Sequence, residues 1–151
     1  MQVLPYAHAD WPAICEIHDL ARKTELAAAC LDAAFLRLDQ TADNEGLFDY
    51  QLLVLQDQAQ VLGFVAFSPD ELAWLYVHPR AHRRGVGTRL VQAAVTATQG
   101  DLSVEILKGN DGAVALYKKA GFQEHGQSSG RMPGNEAFEV TVTELRLTRA
   151  A

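Results

Sequence analysis

Leu75-Tyr76-Val77-His78-Pro79-Arg80-Ala81-His82-Arg83-Arg84-Gly85-Val86-Gly87-Thr88-Arg89 is the stretch whose reading decides the fold. Its apolar opening reads as a buried strand, His78-Pro79 ends that strand, and the loop from His82 to Gly87 opens a helix. The first four backbone N–H groups of a helix lack intrahelical partners and together carry roughly half a positive charge, so such a start can hold an anion. Gly85 and Gly87 let a ligand come close to the backbone. Arg80, Arg83, Arg84 and Arg89 concentrate positive charge in a chain that is acidic overall. A solvated basic turn is the alternative at this level. The loop is not a Walker loop, because Thr88-Arg89 follows Gly87 where Lys-Ser/Thr is required. A dinucleotide fingerprint is also incomplete: Leu90 stands in the place of its third glycine, although Glu105 has the spacing of its acidic residue.

A second stretch, Asn110-Asp111-Gly112-Ala113-Val114-Ala115-Leu116-Tyr117-Lys118-Lys119-Ala120-Gly121-Phe122, carries the pattern N-x-x-A-x-x-L-Y-x-x-x-G-F. Alone it reads as a helix with Asn110 or Asp111 as N-cap, Ala113, Leu116 and Tyr117 facing inward, and Gly121 as the left-handed stop. Together with Leu75-x-Val77-x-Pro79 and the glycine loop, it resembles the paired signatures of the GCN5-related N-acetyltransferase (GNAT) family. In that family the loop consensus Q/R-x-x-G-x-G/A binds the pyrophosphate of coenzyme A. His82 departs from the first position, but the loop works mainly through backbone N–H groups. The resemblance covers Leu75 to Phe122, and the flanks match in their pattern of elements. It implies acetyl-CoA as cosubstrate, no metal, and cofactor contacts from Leu75, Tyr76, Val77, Arg83, Arg84, Gly85, Val86, Gly87, Thr88, Asn110 and Tyr117.

The 151 residues suit one domain, 1–151, long enough to bury about 70% of the unfolded surface. Hydrophobic residues make up 48% and charged residues 21%, ordinary globular usage that excludes disordered and repeat architectures. A net charge of −6 argues against a nucleic-acid surface and favours cationic partners such as amines. Met1-Gln2-Val3-Leu4-Pro5 has neither the basic region nor the apolar core of an export signal, and no apolar run reaches spanning length. The expectation is therefore a soluble, cytoplasmic protein with no membrane partner. Cys15 and Cys30 both fall in apolar helical patterns and read as reduced core residues.

Taken in order, Gln2 to Tyr6 forms a first strand, and Asp10 caps a helix that tolerates Pro12 in its first turn. Ala27, Cys30, Leu31, Ala34, Phe35 and Leu38 recur at steps of three and four and predict a second helix. The polar segment Asp39 to Glu45, closed by Gly46, is a loop. Strands Gln51 to Gln56, Gln60 to Ser68 and Glu71 to His78 form a meander. A helix from Gly87 to Thr98 leads to strand Leu102 to Leu107, which the helical crossover makes parallel to its predecessor. The helix Asp111 to Ala120 follows, then a strand from Phe122 to Gly126, a loop Gln127 to Asn135, and a last strand Ala137 to Arg146. Phe138, Val140 and Val142 alternate on one face while Leu145 and Leu147 fall in the opposite phase, which predicts a bulge or a change of environment near Thr143-Glu144. The order β-α-α-β-β-β-α-β-α-β-β matches the α/β GNAT fold, whose central mixed sheet splays between its fourth and fifth strands.

Acetyl transfer to an amine requires a bound thioester, a neutral amine, donors for the oxyanion and a proton for the leaving thiolate. By the resemblance, the pantetheine arm pairs with the backbone of Leu75, Tyr76 and Val77, and the Val77 N–H polarises the acetyl carbonyl. Tyr117 is the candidate acid, because a phenol of pKa about 10 keeps its proton at neutral pH and a thiolate of pKa about 8.5 gains from a donor. Core packing is the competing role for this side chain. Glu105 is the candidate base, a charge within the apolar run Val104-Glu105-Ile106, where an unpaired carboxylate is costly. Its placement relative to Tyr117 resembles the ribosomal-protein N-terminal acetyltransferases of the family, whereas Ser128 to Pro133 departs from them. A solvent-facing end of the sheet is the other reading of Glu105, and Glu71, Tyr76, His78 or a relayed water are rival bases. Cys15 and Cys30 match no nucleophile position, so direct transfer in a ternary complex is favoured.

The acceptor expected is a primary amine of a small molecule or a peptide N-terminus. Parts of Leu26 to Gly46 and Gln127 to Asn135 would recognise it, with Trp74 and Tyr76 as walls and Asp39, Asp43 and Glu45 near the entrance. Two other classes stay open: a non-catalytic acyl-CoA sensor using the same cleft, and a dinucleotide-binding domain preferring NAD.

Overall fold

The computed structural model describes residues 1–150. The elements run β1 (Gln2–Pro5), α1 (Trp11–Ala28), α2 (Leu38–Thr41), β2 (Gln51–Asp57), β3 (Gln60–Phe67), β4 (Leu72–Val77), α3 (Val86–Ala97), β5 (Leu102–Leu107), α4 (Asp111–Lys119), β6 (Gln123–Met132) and β7 (Asn135–Leu147). This is the expected order. β1-β2-β3-β4 form one antiparallel sheet and β5-β7-β6 another. The two sheets meet where Glu71 and Ser103 make a parallel bridge and the Ser103 N–H donates to Asp70 O at 3.0 Å. β4 and β5 are thus parallel neighbours that separate beyond their first residues, which is the expected splay. Mainly antiparallel sheets exclude the doubly wound parallel sheet of a dinucleotide-binding domain.

Strand β3 is buried on both faces because its neighbours cover it with helices on either side. Val65 and Phe67 turn to a core with Leu55, Leu90, Val91, Leu102, Phe122 and Leu145, under α3 and α4. Phe64 and Ala66 turn to a second core with Ile14, Ile17, Leu38, Leu47 and Val54, under α1.

Four local expectations are corrected. Asp10 does not cap α1, since it already has helical dihedrals at the end of the turn His8–Asp10. Its carboxylate instead accepts from the Ala7 N–H at 2.9 Å. No second helix spans Ala27 to Leu38. α1 continues to Ala28, Cys30 takes φ 59°, and only the turn Asp32–Ala34 and the four-residue α2 follow. Gly109 fixes this helix end: a Cβ there would stand 2.7 Å from Ala28 O, so the chain at Gly109 packs directly on the helix terminus. Leu26, Leu31, Ala34 and Phe35 still share a core, with Met132 and Val140, so spaced apolar residues are buried by turns as well as by a helix. Cys30 is exposed at that bend and is no core residue.

The expected loop Gln127 to Asn135 is instead strand to Met132, turning at Pro133-Gly134. The long β7 supplies partners that Ser128, Ser129 and Gly130 do not advertise, and the Ser129 and Thr141 hydroxyls lie 2.8 Å apart. The phase change in β7 is present, with Val140 buried and then Thr143 and Leu145. The expected irregularity is there too: the β6–β7 register shifts between Glu124 and Gly126, opposite Leu145 and Glu144, with the extra residue on β6, and shifts again between Arg131 and Met132, while the β5–β7 register is continuous.

Candidate functional site

Strand β4 has β3 on one side and a gap on the other. Hydrogen-bonded and non-hydrogen-bonded pairs alternate along an antiparallel ladder. The His78 N–H donates to Leu62 O at 2.8 Å, and the register is unbroken from Gly63↔Val77 to Ala66↔Trp74. The Tyr76 and Trp74 amides therefore face β3, and those of Leu75 and Val77 face the gap. Side chains divide between the two cores: Leu75 and Val77 pack toward α3, Trp74 and Tyr76 toward α1. The gap widens into a cleft of about 450 Å³ walled by Trp74, Leu75, Tyr76, Glu105, Asn110 and Tyr117, among others.

At the far end of β4 stands the start of α3. Gly85 is its N-cap at φ 80°, a left-handed conformation that favours glycine. The Arg89 N–H makes the first bond of the helix ladder, to Gly85 O at 3.1 Å. The amides of Val86, Gly87 and Thr88 precede it and have no intrahelical acceptor. Open space surrounds Gly85, with nothing within 4 Å of a Cβ built there, whereas a Cβ on Gly87 would meet Leu116 Cδ2 at 3.2 Å and Val77 Cγ2 at 3.7 Å. Gly87 is thus where α3, β4 and α4 converge, and the helix mouth adjoins the Val77 end of the gap. Arg83 is exposed beside it at φ 66°. Arg84 is drawn aside by Asp57, to which it donates at 2.7 Å.

Tyr117 on α4 is 3% exposed, its ring edge-on to Phe122 with centroids 5.2 Å apart. Burial, reinforced by the Glu25 charge, holds its phenol above the ordinary value. Glu105 is exposed on β5, so the cost of burying it does not arise; Val104 and Ile106 turn to the core and Glu105 to the other face of the strand, and all three line the cleft. It stands opposite Glu144 in the sheet register.

Glu25 on α1 is the site residue that sequence reasoning missed. Its carboxylate pairs with Arg22, accepts from the Tyr76 hydroxyl at 3.0 Å and from Asn110 Nδ2 at 3.4 Å. Asn110 meanwhile caps α4, its Oδ1 accepting from the Ala113 N–H at 3.3 Å. One carboxylate thereby joins α1, β4 and the start of α4. Its partners lie 51 and 85 residues away in sequence, and its local sign is no more than an i,i+3 pair with Arg22 on a helix.

Residues 48–124 match the family model of the acetyltransferase (GNAT) domain. The chain belongs to the GNAT family. Peptidyl-lysine N-acetyltransferase YjaB of Salmonella typhimurium is 32% identical over 76 residues, and YjaB of Escherichia coli is 30% identical over 76 residues. These matches cover 50% of this chain and 52% and 51% of those proteins, so the chain spans about half the length of the curated relatives it matches. Among solved structures, a GCN5-related N-acetyltransferase from Rhodopseudomonas palustris aligns at TM-score 0.80 and 21% identity over 98% of this chain and 95% of that one. The ribosomal-protein-alanine N-acetyltransferase from Brucella melitensis aligns at 0.72 and 21%, over 99% and 100%. YncA from Salmonella typhimurium, solved with acetyl-CoA, aligns at 0.68 and 20%, over 99% and 96%. These likenesses are of fold.

The remaining wall of this GNAT cleft comes from the two segments expected to recognise the acceptor. Ala34, Leu36, Thr41, Asn44 and Glu45 line it from one side, and Met132 to Asn135 from the β6–β7 turn, with Tyr50, Glu71 and Trp74 between. Asp39 and Asp43 do not share this entrance, because they line a separate hollow. Burial raises the Glu45 carboxyl above its ordinary value, partly offset by the Arg22 charge and the Thr41 hydroxyl. The rival bases have other partners: His78 Nδ1 accepts from the Arg80 N–H at 3.1 Å, the Tyr50 hydroxyl lies 3.3 Å from Glu71 Oε2, and burial together with Glu25 raises the Tyr76 phenol. The Cys15 thiol is pushed up to about 11 by burial and by the Asp19 and Asp39 charges.

Proposed function

We propose that this chain, acting as one domain in the cytoplasm, transfers the acetyl group of acetyl-CoA directly to a primary amine carried by a small molecule or a peptide. The observation that carries this reading is the gap between β4 and β5, which the Leu75 and Val77 amides face, which Tyr117 lines, and whose open end the α3 mouth adjoins. The residues fit the cosubstrate, since the Val86, Gly87 and Thr88 amides without intrahelical acceptors adjoin the open space at Gly85 and an unpaired strand edge leads inward from them.

Acetyl-CoA supplies a thioester-activated acetyl group. The Val86, Gly87 and Thr88 amides hold its pyrophosphate, Arg83 adds charge, and Arg84 contributes from the rim while paired with Asp57. The Leu75, Tyr76 and Val77 backbone aligns the arm, and the Val77 N–H polarises the carbonyl. Tyr117 delivers its proton to the departing sulfur. Glu105 takes the proton of the amine. Glu25 is less suited to that task, because its oxygens already receive Arg22, Tyr76 and Asn110. It holds Asn110, and with it the start of the helix that carries Tyr117.

The cleft presents Glu25, Glu45, Glu71 and Glu105 against Arg22, which favours a cationic acceptor. An α-amino group of pKa about 8 needs less help to become neutral than a lysine of about 10.4. We therefore place a peptide N-terminus ahead of a lysine side chain, and the names of the relatives put lysine peptides in the comparison. The test is free-thiol release at fixed acetyl-CoA with polyamines, amino acids, aminoglycosides and short peptides. Release that depends on an amine supports the reading, and release confined to hydroxyl or anionic acceptors overturns it. Stabilisation by acetyl-CoA with no acceptor-dependent release returns the protein to the sensor class.

A further inference from the structure

The segment between α1 and β2 separates two hollows. Thr41, Asn44 and Glu45 line the transfer cleft. Asp39, Ala42, Asp43 and Phe48 line the other, a hollow of about 360 Å³ completed by Tyr6, His8 and Trp11. Phe48 is 50% exposed and lines the hollow, so its ring is accessible there. Its centroid lies 5.9 Å from that of Tyr6 and 5.6 Å from that of Trp11, with interplanar angles of 48° and 47°. The rings line the hollow and are tilted against one another, with no face-to-face stacking between Phe48 and its two neighbours. Burial, aided by the Asp10 charge, raises the Tyr6 phenol, which stays neutral.

Two carboxylates and neither lysine nor arginine complete the lining. Arg37 Nε lies 3.0 Å from Asp39 Oδ1 in an exposed pair, a weak competitor for that charge, and Asp43 has no ion-pair partner among the described residues. Aromatic faces carry negative electrostatic potential and attract ammonium groups, which carboxylates at the rim reinforce. A neutral apolar ligand would gain from the rings and nothing from the acids. An anion would be repelled. We propose that this hollow binds an alkylammonium cation, at a site distinct from the acetyl-transfer cleft and independent of the activity proposed for that cleft.

The test is an NMR titration of the full chain with choline, read at the Trp11 indole N–H, with the Trp74 indole reporting the transfer cleft. The neutral isostere 3,3-dimethylbutan-1-ol is the control. The expected result is a saturable Trp11 shift with choline that weakens with added salt, and binding of the alcohol at least about 5-fold weaker. Phe48→Leu keeps apolar bulk at an exposed position and removes the ring face, so it should weaken choline about 2- to 5-fold. Asp43→Asn should weaken choline and leave the alcohol unchanged. No saturable Trp11 shift, a shift at Trp74 alone, equal binding of choline and the alcohol, or full choline affinity in both variants would each overturn the proposal.

Discussion

Tyr117 is a side chain at which packing and proton transfer compete. Its ring is edge-on to Phe122 in the core while its hydroxyl belongs to a residue lining the cleft. Tyr117→Phe separates the two roles, because the ring stays and only the proton is lost. We expect unchanged Tm and acetyl-CoA affinity with turnover lower by on the order of 10²-fold, and equal thiol release in the variant would assign the residue to packing. Glu105→Gln should cost turnover by a similar order, with activity recovering toward high pH, where more amine is already neutral. A pH profile matching wild type would move the base elsewhere. Glu45 offers a test whose sign follows from its burial. A carboxyl raised in the folded state contributes stability below the ordinary carboxylate range and loses it as pH rises through the folded value. At pH 7 the ionised Glu45 therefore opposes folding. Glu45→Gln should raise Tm at pH 7 and leave it nearly unchanged at pH 4, while weakening a cationic acceptor; equal Tm shifts at both pH values would refute the burial account.

At the level of elements, the hairpin β2–β3, helix α3, strand β5 and helix α4 stand within a residue or so of their expected bounds. Each has strong local punctuation: Asp57-Gln58, Gly85, Gly100-Asp101 and Asn110. The segment after Ala28 and strand β6 were illegible for physical reasons. Apolar spacing near 3.6 describes burial, which turns reproduced between Leu26 and Phe35, and the Ser/Gly/Gln composition of β6 carries no strand signal until β7 lies beside it. The site divides the same way. That Val77, Gly87, Asn110 and Tyr117 lie near one another was legible because motif residues meet through local elements, whereas Glu25 joins them only when α1 docks. The two loop glycines should also fail differently. Gly85→Ala places a side chain at φ 80° in open space, so it should cost about 1–2 kcal/mol of backbone strain and keep part of the acetyl-CoA thermal shift. Gly87→Val presses on Leu116 at the convergence of α3, β4 and α4, and its acetyl-CoA shift should vanish. A folded Gly87→Val protein with the full shift would remove the helix mouth from the site.

For the whole molecule, the arrangement of sheets predicts a pattern of hydrogen exchange. The Tyr76 and Trp74 amides, bonded to β3, should exchange slowly, and those of Leu75 and Val77, facing the gap, should exchange quickly until acetyl-CoA protects them by about 10-fold or more. Protection confined to α3 would mean that the arm does not run along β4. The open edge of β4 also bears on solubility. An unpaired row of backbone donors and acceptors is a template on which other chains can add as strands. Here that row lies inside a cleft walled by Trp74, Tyr76, Asn110 and Tyr117. The outermost strand of the first sheet, β1, is only four residues long and ends at Pro5, which limits pairing there. Within the first sheet the free edge of β4 is thus turned inward and the edge left outward is the short, blunted one of β1, so this sheet offers little backbone on which another chain can add.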